Sequence, residues 1–162
     1  MSIVPLLKLP ELGSGGAVAV WAFRATVAGQ SDCPALTRGY RDLLGEHGEP
    51  ALRAIETLVA AIAQDGRRRR VGLAPPGCCC VTADELSIVA VLTAAQAGDR
   101  QRLTAHLRWI VGRETAGTLG AVCAVAAVFS KAGLPITAPE VVGETWNDAS
   151  TAAPTHHLVG HA

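Results

Sequence analysis

Three adjacent cysteines, Cys78-Cys79-Cys80, are the densest concentration of reactive side chains in the chain. Thiols ligate soft metals, exchange disulfides and trap electrophiles, and the thiolate is the working form in each case. Cys80 stands just ahead of a helix start, where the helix dipole favours negative charge and predicts a lowered thiol pKa. The triplet is poorly spaced for structural zinc, whose cysteines are typically about two to four residues apart. Cys33 or Cys123 could complete a metal set, but Cys123 lies in an apolar run and reads as a small buried residue. The plainer reading is that all three cysteines fill space beneath a packed loop. Cys78, Cys79 and Cys80 are the candidate reactive thiols, with no metal or other cofactor expected.

Four arginines, Arg67, Arg68, Arg69 and Arg70, follow a helical stretch. They could grip phosphates or an acidic protein. Equally, cations at a helix C-terminus complement its dipole, and this reading is preferred because no aromatics are interleaved. His106 shares a helical face with Leu103 and Ile110, where a half-buried imidazole could sense pH or touch a ligand. His156, His157 and His161 could ligate a transition metal but lack residues around them to orient the rings, so they read as solvated. Trp146 is the one large aromatic of the C-terminal segment and a candidate docking residue. Gly13-Ser14-Gly15-Gly16 lacks the preceding strand that a dinucleotide-binding turn requires, so it reads as a linker. No nucleophile elbow, HExxH, Walker loop or EF-hand loop is present. The paired carboxylates Asp84 and Glu85 are accounted for by helix capping.

The elements that must position these residues are helices. Val81-Thr82-Ala83-Asp84-Glu85-Leu86 predicts a capping box, with Thr82 accepting from the Glu85 N–H and Glu85 reaching back to the Thr82 N–H. That helix runs to about Ala97. Others are predicted over Ala17–Val27, from Asp32 as cap, from Pro50 to Gly66, from Asp99, and from Thr115 to Gly133-Leu134-Pro135. Gly117, Gly120, Ala121 and Ala124 predict a face that lets a neighbouring helix come close. A stripe such as Leu103, Leu107, Ile110 and Val111 stabilises by about 1.5–3 kcal/mol per buried side chain. Ordering the backbone costs about 1–2 kcal/mol for every residue, so such helices must pack together. Short connections then make neighbours antiparallel. The expected fold is all-α: a compact bundle of about six antiparallel helices over residues 17–135, with a flexible leader (1–16) and an extended tail (136–162).

The chain has 162 residues, 49% hydrophobic and 4% aromatic, with 14 basic and 14 acidic side chains. That length suits one domain whose core is filled by small side chains. Zero net charge argues against nucleic acid or an anionic membrane as partner. No stretch reads as a membrane span or signal peptide, and an odd cysteine count points to a reducing cytoplasm. With no catalytic set in view, the expected function is a non-enzymatic protein-interaction module, an accessory subunit or homo-oligomeric regulator. The rival expectation is a thiol or metal sensor built on Cys78–Cys80.

Overall fold

The computed structural model describes residues 7–65 and 70–139. Arg67, Arg68, Arg69, Trp146 and the three tail histidines lie outside this range, as do residues 1–6 of the expected leader and 140–162 of the expected tail. The described chain is predominantly helical and contains no strand, only an isolated antiparallel bridge between Lys8 and Cys80. Its helices are α1 (Gly13–Val27), α2 (Pro34–Leu44), α3 (Gly48–Gln64), α4 (Ala83–Gln96), α5 (Arg100–Ile110) and α6 (Ala116–Lys131). Among them no helix is long and apolar enough to cross a membrane.

Local chemistry explains most of the boundaries. Thr82, Asp99 and Thr115 cap α4, α5 and α6, accepting from the N–H groups of Glu85, Arg102 and Thr118. Gly29 and Gly133 adopt φ of +72° and +70° just past α1 and α6, the left-handed conformation that closes a helix without steric cost. Two expected starts move. Cys33, not Asp32, is the N-cap of α2 and makes no side-chain cap bond. α3 begins at Gly48, two residues before Pro50.

The first helix brings a larger correction. Gly13-Ser14-Gly15-Gly16 is its first turn rather than a linker. Gly15 is there because the chain after α6 passes directly over it: a Cβ would fall 2.0 Å from the Pro135 carbonyl oxygen. Beyond α6 the chain stays attached as well. The Gln96 side chain donates to the carbonyls of Ala126 and Leu134 and accepts from the Ile136 N–H, and Ile136 is buried. The packed body therefore extends from Leu7 to Ala138, beyond both expected limits.

α4 lies against α5, α6 and α1, and α3 lies against α6, α2 and α1. α4 is buried nearly all round, through Ile88, Val89, Ala90, Val91, Leu92 and Ala94. Tyr40 of α2 is fully buried, its hydroxyl donating to the Val18 carbonyl at 2.7 Å and its ring meeting Phe129 edge-on. Burial holds that phenol well above its ordinary pKa. α6 turns Ala121, Val122, Val125, Ala126 and Phe129 inward. Gly117, Gly120 and Ala124 face out instead, so the close-approach face expected for them is only partly used, through Ala121.

Candidate functional site

Arg24 lies on α1, a helix otherwise made of small and apolar residues, and is only 2% exposed. A buried guanidinium needs a countercharge and acceptors for its five N–H groups. Four of those N–H groups have partners here. Nε and Nη2 donate to the two carboxylate oxygens of Glu85 at 2.6 and 2.8 Å, while Nη1 and Nη2 donate to the carbonyls of Cys78 and Cys80 at 2.6 Å each. The bond to Glu85 is the main reason the Arg24 pKa rises above its ordinary value, so the cation is permanent.

Glu85 is matched just as fully. Oε1 also accepts from the Ala74 N–H at 3.0 Å, and Oε2 from the Thr82 N–H at 2.9 Å. The second bond is half of the capping box, and the other half is the Glu85 N–H donating to the Thr82 hydroxyl at 3.1 Å. One carboxylate thus caps α4, holds the preceding loop and neutralises α1. Such pairs are stabilising only when geometry is good and the remaining lone pairs are met. Both conditions hold.

The cysteine turn is built onto this pair. Pro75-Pro76-Gly77-Cys78 reverses the chain, with the Cys78 N–H donating to the Pro75 carbonyl and Gly77 at φ +85°. Proline second and a positive-φ glycine third is the arrangement of a type II turn. The Cys79 carbonyl accepts from the Leu9 N–H, and the Val81 N–H donates to the Leu7 carbonyl. These two bonds flank Lys8 and Cys80, making them a non-hydrogen-bonded antiparallel pair with neighbouring side chains. All three cysteine carbonyls are therefore occupied. Cys79 is exposed, and Cys78 and Cys80 are half-buried.

No disulfide forms among the five cysteines. The neighbouring Cys79 thiol, with Cys78 adding to it, pushes the Cys80 pKa up. This reverses the lowering expected from the α4 dipole. Cys123 also departs from expectation, since it is exposed on α6. Among the described residues no three His, Cys, Asp or Glu side chains come together as a metal set.

The other candidates lie apart from this turn. Arg70 is exposed. His106 is half-buried on α5, and burial, with Arg102 as a second cause, lowers its pKa against an opposing pull from Asp99. Sequence reasoning found the cysteines and the capping role of Glu85 but missed Arg24. The available signal was a single cation in an apolar helix, which calls for a buried carboxylate elsewhere in the chain.

Compared with known proteins, the chain matches no family model, no curated protein and no solved structure.

Proposed function

We propose that this protein is a non-enzymatic helical module whose responsive part is the cysteine turn, a thiol or metal sensor operating in a reducing cytoplasm. One observation carries this reading. Arg24 holds the carbonyls of Cys78 and Cys80 and the α4 cap Glu85 with a single guanidinium. A change at the thiols would pull on carbonyls bonded to that guanidinium, and so on the joint between α1 and α4. The non-enzymatic part draws support from how the acidic groups are used. Glu85 is fully bonded, Asp84 accepts from the Gly72 N–H, Glu114 binds Arg108, and Asp65 accepts from the Thr115 hydroxyl. This reading takes the helices as an antiparallel bundle of about six, which the short connection between α4 and α5 favours.

The test uses the Cys33→Ser/Cys123→Ser double variant, which retains only the turn thiols. Alkylating it with N-ethylmaleimide should lower thermal stability or change oligomeric mass, whereas a Cys-free chain should be unaffected. Equal melting and mass before and after alkylation would remove the sensor reading.

A second reading is a protein-interaction module, an accessory subunit or homo-oligomeric regulator. The outward face of α6, with Gly117, Gly120, Cys123 and Ala124 all exposed, favours it. Trp109 on α5 is also 46% exposed. Gly120→Trp should then reduce self-association or partner capture while leaving helicity unchanged.

A further inference from the structure

After α6 the chain is anchored beside the start of α5. The Ile136 N–H donates to Oε1 of Gln96 at 2.7 Å, Ile136 is buried there, and Gln96 lies four residues before Arg100, the first residue of α5. Glu140 follows Ile136 by four residues, at most about 14 Å of extended chain. Glu144 and Asp148 come after it at equal intervals, and no lysine or arginine follows Lys131. An acidic segment therefore starts within reach of the α5 N-terminus.

α5 presents the opposite charge. Arg100, Gln101, Thr104, Ala105 and Arg108 line an open depression of about 540 Å³ on its outer side, room for a peptide segment rather than for one ion. Arg100 and Arg108 mark its ends, eight residues and about 12 Å apart along the helix axis. Glu140 and Asp148 are also eight residues apart, a stretch that covers about 12 Å even when wound as a helix, so both arginines are within its span. Among the described residues, ion pairs engage Arg102 with Asp99 and Arg108 with Glu114, but none engages Arg100. Glu114 bonds through Nε and Nη2 of Arg108, which keeps the Nη1 edge of that guanidinium out of the pair. Arg100 also stands in the first turn of α5, where the helix dipole favours an anion, so a carboxylate beside it meets both demands.

We propose that Glu140–Asp148 of this chain docks in the α5 depression, with its carboxylates on Arg100 and Arg108 and Trp146 over Ala105. Exposed ion pairs are individually weak. A short tether supplies the missing strength, because it holds the segment at an effective concentration in the range of about millimolar. The segment is then a removable cover, and an acidic stretch of a partner protein competes with it for the same guanidinium groups. This contact requires neither the sensor reading nor the module reading.

The test is hydrogen–deuterium exchange of the full chain, read by mass spectrometry on peptides covering residues 140–148. At low salt their amides should exchange at least about tenfold more slowly than unstructured chain, and the protection should vanish near 1 M NaCl, where the screening length falls to about 3 Å. Glu140→Gln/Glu144→Gln/Asp148→Asn should abolish the protection, and it leaves every described residue in place, so the loss cannot come from unfolding of the body. Arg100→Glu/Arg108→Glu should abolish it as well, and adding Glu140→Arg/Glu144→Arg/Asp148→Arg to that variant should restore it. Arg70 provides the contrast: its neighbour Gly72 bonds to Asp84, at the opposite end of α4 and about 18 Å along the axis from Gln96. Protection lost with Arg70→Glu but kept in Arg100→Glu/Arg108→Glu places the segment at that end instead. Protection that rises with protein concentration assigns the depression to a second copy. Either result overturns the proposal, as does absence of protection at low salt.

Discussion

Arg24 of α1 and Glu85 of α4, 61 residues apart in sequence, meet through two parallel hydrogen bonds of 2.6 and 2.8 Å, and both side chains are nearly inaccessible to water. Removing one partner strands the other as an uncompensated buried charge, at a cost of about 3–5 kcal/mol. Arg24→Met should therefore lower the unfolding free energy by about that amount in urea titration. Glu85→Leu added to Arg24→Met should recover only part of the loss, because Glu85 also serves the N–H groups of Ala74 and Thr82. A loss below about 1 kcal/mol for Arg24→Met would place the pair among weakly coupled surface bridges.

Thr82 has two tasks: its hydroxyl accepts from the Glu85 N–H and donates to the Gly72 carbonyl. Thr82→Ala should cost about 1 kcal/mol, the usual penalty for a lost N-cap. Thr82→Ser keeps the hydroxyl and should stay near wild type in the same denaturant assay.

The Arg108–Glu114 pair predicts an acid limb. Hydrogen bonding to Arg108 lowers the Glu114 pKa from 4.5 to about 2. A carboxylate depressed on folding contributes stability that is complete above pH 4.5 and fades as pH falls toward 2. Arg108→Ala should return Glu114 to ordinary titration, followed by its side-chain carbonyl signal in NMR, and remove this share of the acid sensitivity.

His106 acts in the same direction in a higher window. Its folded pKa lies below the ordinary 6.5 because burial disfavours the cation. The unfolded chain therefore binds the proton more readily, and stability declines as pH falls below 6.5 until the folded pKa is passed. His106→Gln should flatten the thermal stability profile just below neutrality.

Two glycines give opposite expectations from the same substitution. Gly15→Ala drives a methyl into the Pro135 carbonyl and should cost about 1–3 kcal/mol, as overpacking does. Gly120 has open space around its missing Cβ on a helix surface, so Gly120→Ala should be neutral or stabilise by up to about 1 kcal/mol. Calorimetry of the two variants checks both.

The helices were legible because their signals are local. Thr82 with Glu85, Asp99, Thr115 and the glycines beyond α1 and α6 lie within a few residues of the ends they define. The cysteine triplet was legible as an oddity. What escaped was everything that depends on distant parts of the chain meeting. Arg24 reads as an isolated charge until Glu85 is beside it, and Gly15 reads as a linker residue until Pro135 crosses it. The Cys80 pKa was misjudged because the expected dipole effect considered only α4, whereas the neighbouring thiols act in the opposite direction. Gly117 and Gly120 follow the spacing of a packed stripe, but which side of α6 is covered depends on where α3 and α4 lie.

The position of Arg24 also orders events while the protein is being made. The chain leaves the ribosome N-terminus first, and the acceptors of this guanidinium follow 54 to 61 residues later. Until they do, the guanidinium lacks all four of the acceptor contacts that it has in the finished fold. The early helices cannot settle into their final arrangement as an independent unit. They wait for the second half of the chain: the Cys78–Glu85 segment brings the acceptors of Arg24, and α6 and Ile136 close the core after it.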